Sequence, residues 1–215
     1  MKITKLEHAC LDITNGNGRL IVDPGNWTSP LADNSGISAV VITHVHPDHL
    51  DESKLLKIHE QNPSLIIFCN QQVADKLSED MRVTVPEVDQ EYTAGDFKLE
   101  FFGGMHAEIM EGYPPAGADH NFGVLINETL YYPGDSFTLC PKPHTVTAVP
   151  GAGPWMKESE AVDFLVQDSA QQIFATHNNI LNENGITLQN MLLGGAAEQN
   201  GKTYTYLKPG ESLEV

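Results

Sequence analysis

The sequence has few basic residues: lysine and arginine together number 12 against 29 aspartates and glutamates, for a formal net charge of −17. Only Arg19 and Arg82 are arginines. Proteins that bind nucleic acids depend on these side chains to neutralise phosphates, so this composition argues against a nucleic-acid partner. The shortage of arginine also weakens, without excluding, a substrate whose main recognition group is a phosphate. A small-molecule substrate therefore fits the charge best.

Cysteine and long apolar runs are scarce as well. The three cysteines, Cys10, Cys69 and Cys140, are odd in number and scattered, so no disulfide pairing is expected. Free buried thiols are typical of the reducing cytoplasm, where we expect the protein. No apolar run reaches the length that a membrane span requires, and the alternating first residues predict a strand and not a signal peptide. We therefore expect no membrane partner, and homo-oligomer formation stays open.

The 215 residues suit one domain that spans positions 1–215. Short strand-like runs alternate with fewer helical patterns, and a second strand-rich block follows the first, which predicts an α/β fold with two facing sheets and helices outside, a four-layer αββα sandwich. The expected strands are 2–6, 10–13, 19–23, 38–43, 64–69, 97–103, 122–127, 129–135 and 172–177. The expected helices are 51–60, 72–77, 158–167 and 188–199.

The densest chemical signal is "THVHPDH", which contains His44, His46, Asp48 and His49. In extended backbone, side chains two residues apart lie on one side, so His44 and His46 would point the same way. Pro47 then interrupts the extension and turns Asp48 and His49 toward a neighbouring position. Two ligand groups that point slightly apart are what a pair of metal ions a few Å apart requires.

Further candidate ligands follow other predicted strands. His106 comes after "FKLEFFGGM", Asp135 after "TLYYPG", and His177 after "QIFAT". Strand ends that share one edge of a sheet gather residues that are distant in sequence. We therefore expect these three side chains to join the "THVHPDH" motif in one site.

These motifs, in this order, resemble those of the metallo-β-lactamase superfamily. Within it the chain is most similar to the L-ascorbate-phosphate-lactonase-like branch of metal-dependent hydrolases, on the basis of "LEHACLDI", "IVDPG", "GPWMKESEAVDF" and "LKPGESLEV". The resemblance implies the αββα sandwich with a metal site on one edge. It also implies two groups of metal ligands, the first comprising His44, His46 and His106 and the second Asp48, His49 and His177, with Asp135 bridging both metals.

Nitrogen and carboxylate ligands without cysteine favour two Zn²⁺ ions, with Mn²⁺ or Fe as alternatives. Such a pair would activate a water molecule as hydroxide, so we expect a dinuclear hydrolase of a small-molecule lactone, ester, amide or phosphodiester. Asp48 is expected to orient the hydroxide, and His120 is a second catalytic candidate that could protonate the leaving group. A phosphodiesterase or nuclease of the same fold, a non-catalytic metal-binding module and metal-linked redox chemistry are the alternatives.

Several residues have a weaker signal. Asp23 in "IVDPG" is expected to fix the ring of a ligand histidine, the alternative being a turn-forming aspartate before proline. His8 is expected to be a buried histidine near the site with its hydrogen bonds satisfied, the alternative being direct metal ligation. Trp155 either forms a wall of the substrate pocket or packs against a loop, and Lys142 either binds an anionic substrate or is solvated. The loop 111–121 could cover the metal edge. His144 is expected to be an ordinary loop residue.

Overall fold

The computed structural model describes residues 1–110 and 120–215, and these ranges contain two seven-stranded sheets. The strands of the first sheet are β1 (Lys2–Lys5), β2 (Leu11–Asn15), β3 (Gly18–Val22), β4 (Ala39–Ile42), β5 (Ile66–Cys69), β6 (Val83–Thr84) and β14 (Ser212–Glu214). Their spatial order is β14-β1-β2-β3-β4-β5-β6. Strands β3 to β6 run parallel to one another, whereas the pairs β14–β1, β1–β2 and β2–β3 are antiparallel.

The second sheet has the spatial order β13-β12-β11-β10-β9-β8-β7. Its strands are β7 (Glu91–Ala94), β8 (Phe97–Gly103), β9 (Phe122–Ile126), β10 (Leu130–Tyr132), β11 (Val146–Pro150), β12 (Gln172–Thr176) and β13 (Thr203–Tyr204). Strands β10 to β13 are parallel, whereas β7, β8 and β9 form antiparallel pairs.

Apolar side chains from both sheets form one core between them, with Leu20, Phe101 and Phe174 among its fully buried members. The helices α1 (Glu52–Gln61) and α2 (Gln71–Ala74) contribute to a second apolar cluster with the outer face of the first sheet. The helices α3 (Glu158–Gln167) and α4 (Glu183–Gln199) do the same for the second sheet. This arrangement confirms the predicted αββα sandwich.

Several elements differ from the sequence-based prediction, which did not include the short strands β6, β7, β13 and β14. Helix α4 begins at Glu183 and not at Leu188, because the Asn182 side chain caps its first turn by accepting a hydrogen bond from the Gly185 amide (3.0 Å). Strand β11 was not predicted, although all five of its residues are buried. In contrast, the prediction for α3 agrees with its observed bounds.

The parallel strands place their carboxyl ends at one edge of the sandwich. Asp23 follows β3, His44 follows β4 after one residue, and His177 follows β12. The structure therefore supplies the common edge that the strand-end motifs predicted. Within the described part of the chain, no helix has the length and apolar character needed to cross a membrane.

Candidate metal centre

Two groups of metal-capable side chains meet at this edge, and in each group the candidate ligand atoms lie within 4.8 Å of one another. The first group comprises His44, His46, His106 and Asp135, and the second comprises His8, Asp48, His49 and His177. All seven side chains expected from the sequence are thus brought together, divided between the groups as the resemblance implied. Whether they bind metal ions stays a prediction.

Asp135 connects the two groups. Its Oδ2 lies 3.5 Å from Nε2 of His106 in the first group and 3.2 Å from Nε2 of His177 in the second. Its Oδ1 lies 3.2 Å from Nε2 of His49. A single carboxylate therefore faces nitrogen atoms of both groups, which is the arrangement expected of a ligand shared by two cations.

The outer ring nitrogens of three candidate histidines, His49, His106 and His177, are held by hydrogen-bonding oxygens. Nδ1 of His49 lies 2.7 Å from Asp23 Oδ2, and Nδ1 of His106 lies 2.7 Å from the Ala107 carbonyl oxygen. Nδ1 of His177 likewise pairs with the carbonyl oxygen of Ala152. When Nδ1 donates its hydrogen outward, Nε2 keeps its lone pair for the centre of the site, and the ring is fixed in orientation.

The inner atoms lack such partners. Within the described residues, the buried Nε2 atoms of His49, His106 and His177 and the buried Oδ1 of Asp135 make no hydrogen bond of acceptable geometry. Buried polar atoms are rarely left unpaired, because their desolvation is costly. Three nitrogen lone pairs and a carboxylate oxygen that converge without hydrogen bonds are explained by a cation between them, so the residues fit the implied metals.

The charges of the ligands also suit cations. Burial alone would raise the pKa of Asp135, but His177 and His49 lower it well below the ordinary value. Burial, together with His49, lowers the pKa of His44 well below that of free histidine. Asp135 is therefore ionised and His44 neutral near pH 7. Burial would lower the pKa of His177, but Asp135 raises it to about 9, so a cation would displace the proton of this histidine on binding.

Asp23 is the main anchor of the "THVHPDH" segment. Besides His49, its buried carboxylate accepts hydrogen bonds from the Thr43 amide (2.8 Å) and hydroxyl (2.7 Å) and from the Tyr132 hydroxyl (2.9 Å). Asp23 thus contacts the ligand histidine as the sequence indicated, although the contribution of Tyr132 had no sequence signal. Asp23, His8 and His177 all have positive φ (46°, 55° and 55°), which is uncommon for residues other than glycine and marks a constrained site.

The loop that presents Asp135 depends on a residue that sequence reasoning missed. The buried Asn121 side chain accepts a hydrogen bond from the Asp135 amide (2.9 Å) and donates one to the Pro133 carbonyl (2.8 Å). Gly134 between them has φ of 63°, and a Cβ there would collide with Asn121. Nothing in "DHNFG" distinguishes this asparagine from a turn residue before a strand.

His8 differs from its expected role. It is fully buried, but its Nδ1 has no hydrogen-bond partner among the described residues, so its hydrogen bonds are not satisfied. Its Nε2 lies 3.0 Å from Asp48 Oδ2, and its ring centroid lies 3.9 Å from that of His177. His8 is therefore in direct contact with the second ligand group.

A pocket of about 270 Å³ opens onto the two groups. Its lining combines His46, Asp48, Asp135 and His177 with the apolar side chains of Trp27, Ile109, Pro154, Trp155 and Ile180. Trp155 both lines the pocket and donates a hydrogen bond from Nε1 to Asp135 Oδ2 (3.0 Å). It therefore positions the shared carboxylate as well as forming a wall.

Two other candidates lie elsewhere. His120 is exposed, its Nδ1 is 3.1 Å from the Gly104 carbonyl oxygen, and it is absent from the described lining of the pocket. Its catalytic role stays a prediction. Lys142 forms an ion pair with Glu100 and is also absent from that lining. Positions 111–119 of the loop expected to cover the metal edge lie outside the described residues.

His144 is not the ordinary loop residue that was expected. It is buried, its Nε2 lies 2.7 Å from Thr147 Oγ1 and 3.3 Å from Asp168 Oδ1, and its Nδ1 lies 2.9 Å from the Lys142 carbonyl oxygen. Burial alone would lower the pKa of His144, but hydrogen bonds from its ring, first to Asp168, raise it to about 10. This second histidine–aspartate group lies apart from the metal ligands.

Comparisons with known proteins agree with this geometry. The family described as the beta-lactamase superfamily domain matches residues 2–177. Protein Rv0786c of Mycobacterium tuberculosis is 35% identical over 170 residues, which cover 77% of this chain and 78% of that protein. A UPF0173 metal-dependent hydrolase of Aeropyrum pernix is 32% identical over 99 residues, which cover 44% of this chain and 40% of that protein.

The fold is shared with solved structures at lower identity. Igni18, a metallo hydrolase from the archaeon Ignicoccus hospitalis, superimposes with a TM-score of 0.75 at 14% identity. The superposition covers 99% of this chain and 97% of the Igni18 chain. The chain belongs to the beta-lactamase superfamily. It is a metal-dependent hydrolase of the metallo-β-lactamase fold, and the two groups of candidate ligands fit this class.

Proposed function

We propose that this protein hydrolyses a neutral, largely apolar small molecule at a centre of two divalent cations. The observation that carries the proposal is the position of Asp135, whose two oxygens face nitrogen atoms of both ligand groups within 3.5 Å. A site for one metal would not need the second group, His8, Asp48, His49 and His177, beside the first.

When bound, two divalent cations lower the pKa of a shared water molecule toward neutrality and polarise a substrate oxygen. The chain's own residues orient the reactants. The side chain of Asp48 is 18% exposed whereas that of Asp135 is 4% exposed, so Asp48 is the more accessible carboxylate of the two to a water molecule in the pocket. Nε2 of His8 holds Asp48 Oδ2 at 3.0 Å, and Asp48 Oδ1 can accept a hydrogen bond from the attacking water.

The ligand set favours Zn²⁺. Both groups contain imidazole nitrogens and carboxylate oxygens, and none of the three cysteines belongs to either group. Mn²⁺ or Fe would accept the same donors. Elemental analysis of protein purified without added metal distinguishes these ions.

The lining of the pocket favours an uncharged substrate. Trp27, Ile109 and Ile180 are 46%, 40% and 47% exposed, although exposure of large apolar side chains to water is energetically unfavourable. The described lining includes no lysine or arginine, and the sequence from 111 to 119 contains none either. A lactone, ester or amide with an apolar substituent therefore suits the pocket better than a phosphorylated compound.

The test is a panel of aryl and alkyl lactones, esters and amides, assayed beside phosphodiesters with the metal retained. We expect turnover of neutral members, abolished by Asp48→Asn and unaffected by Asp75→Asn, which alters an exposed aspartate of the same charge. Turnover confined to phosphodiesters would refute the substrate class. Metal binding without turnover of any member would favour the non-catalytic module.

The nuclease alternative has a separate test. A chain of net charge −17 should not retain an RNA oligomer, even at low salt where phosphate contacts are strongest. Retention and cleavage of the oligomer would revive that alternative.

A further inference from the structure

A second and larger pocket, of about 520 Å³, lies beside the metal centre and shares His8 with it. It is bounded by β1, by the first turns of α4 and by residues 206–209. Its polar lining residues are Lys5, His8, Asn178, Asn179, Glu183, Thr187, Asn190, Tyr206 and Lys208. Of the side chains grouped at the metal centre, His8 alone lines this pocket among the described residues, so the rest of its lining is distinct.

Lys5 is the unusual residue of this pocket. It is only 2% exposed, yet its Nζ has one long contact, 3.4 Å to the Leu6 carbonyl oxygen, and no ion pair within the described ranges. Burying an ammonium group without partners is costly, and here burial lowers the pKa of Lys5 to about 8. Near pH 7 the group nevertheless keeps its proton.

The other buried lysine shows what a satisfied ammonium looks like in this protein. Lys54 is 7% exposed, and its Nζ donates hydrogen bonds to the carbonyl oxygens of Gly25 and Thr28. Among the described residues, Lys5 has no comparable pair of acceptors. Two of its three N–H groups therefore have no hydrogen-bond partner there, and Lys5 lines the pocket.

The charge around the pocket also favours an anion. Two of the 12 basic residues of the chain, Lys5 and Lys208, line it against one carboxylate, that of the exposed Glu183. The amino-terminal half of α4 forms one wall, and the positive end of a 17-residue helix attracts negative charge. Elsewhere the protein is strongly acidic, so this concentration of positive charge is local.

We propose that this pocket binds a small organic anion, and that the carboxylate or phosphate group of this ligand accepts hydrogen bonds from the Lys5 ammonium. The proposal does not rest on the hydrolytic activity, because the two pockets have different linings and opposite preferences. The metal pocket offers apolar walls without a lysine or arginine among its described lining residues, whereas this one offers two lysines.

The test is titration of the metal-loaded protein with succinate and, separately, with inorganic phosphate, followed by calorimetry. We expect saturable binding of at least one anion, at least about tenfold weaker in Lys5→Met, because a hydrogen bond to a charged group is lost. Lys2→Met is the matched control, since Lys2 is exposed on the same strand. Equal affinity in Lys5→Met, or no saturable binding by the wild type at tens of millimolar, would overturn the proposal.

A second measurement locates the anion without any variant. Ile186 lines the proposed pocket, whereas Ile109 lines the metal pocket. The methyl resonances of Ile186 should shift and saturate during the titration while those of Ile109 stay in place. A shift of Ile109 without a shift of Ile186 would put the anion at the metals and overturn the proposal. The anion that saturates Ile186 identifies whether the carboxylate or the phosphate is preferred.

Discussion

Within the described residues, buried histidine meets buried aspartate at the metal centre and, separately, in the His144–Asp168 pair, and the two sites are built differently. At the metal centre, Nε2 of His49, His106 and His177 has no well-formed hydrogen bond within the described residues. In the His144–Asp168 pair, both ring nitrogens of His144 have oxygen partners, at 2.7 and 2.9 Å. Both sites are buried, and in the described residues each has one carboxylate oxygen without a hydrogen bond, Asp135 Oδ1 and Asp168 Oδ1. The unpaired inner nitrogens are therefore what separates the candidate ligand set from the structural ion pair.

The largest effect that separates the metal centre from the His144–Asp168 pair should be the loss of activity in Asp135→Asn. Loss of the shared carboxylate should lower hydrolytic activity by at least about a thousandfold, more than the 10- to 100-fold typical of changes to residues that only support ligands. Activity and metal content of the purified variant check this. A variant that keeps two metals and most of its activity would show that Asp135 does not bridge them.

Asp168→Asn is the matched change in the other group. Removing the charge that faces buried His144 should cost about 3–5 kcal/mol of unfolding free energy, because an uncompensated buried charge remains. Metal content should be unchanged. Denaturant unfolding measures the first expectation and elemental analysis the second, and metal loss in this variant would break the distinction between the groups.

Asp23→Asn should have an intermediate effect. Asparagine has the size of aspartate and tolerates positive φ, so the fold should be kept, but the carboxylate that holds His49 Nδ1 is lost. Metal affinity should fall about 10- to 100-fold. Competition with a chelator of known affinity measures the change, and an affinity equal to that of the wild type would show that Asp23 has only a structural role.

The smallest effect concerns pH. The pKa of His144 is about 10 in the folded protein and 6.5 for the free side chain, so folding favours the protonated form. Its contribution to stability is therefore complete below about pH 6.5 and is lost as the pH rises toward about 10. The unfolding free energy of the wild type should fall across this range more steeply than that of Asp168→Asn. Equal slopes would contradict the assignment.

The sequence predicted the sandwich because most strands are apolar runs with turn residues on both sides, as at 97–103, where the prediction matches β8. It missed β11, since Val146–Pro150 ends in proline and follows the proline-containing "CPKPH" segment. It also missed β6, β7, β13 and β14, which have two to four residues each and no long apolar run. It also placed the start of α4 too late, because Gly185 and the asparagines before it are typical of loops.

At the site, the seven candidate ligands could be predicted because histidine and aspartate clustered after strands. The residues that hold them could not. Ala107 and Ala152 act through carbonyl oxygens, which have no sequence signal. Asn121, Tyr132 and Trp155 act through long-range contacts that only the folded chain brings about.

The most direct test of the two-cation centre is anomalous diffraction from crystals of the metal-loaded protein, measured at the absorption edge of the bound metal. Two peaks are expected, one surrounded by His44, His46 and His106 and the other by Asp48, His49 and His177, with Asp135 between them. A single peak in fully active protein, or peaks outside these side chains, would contradict it.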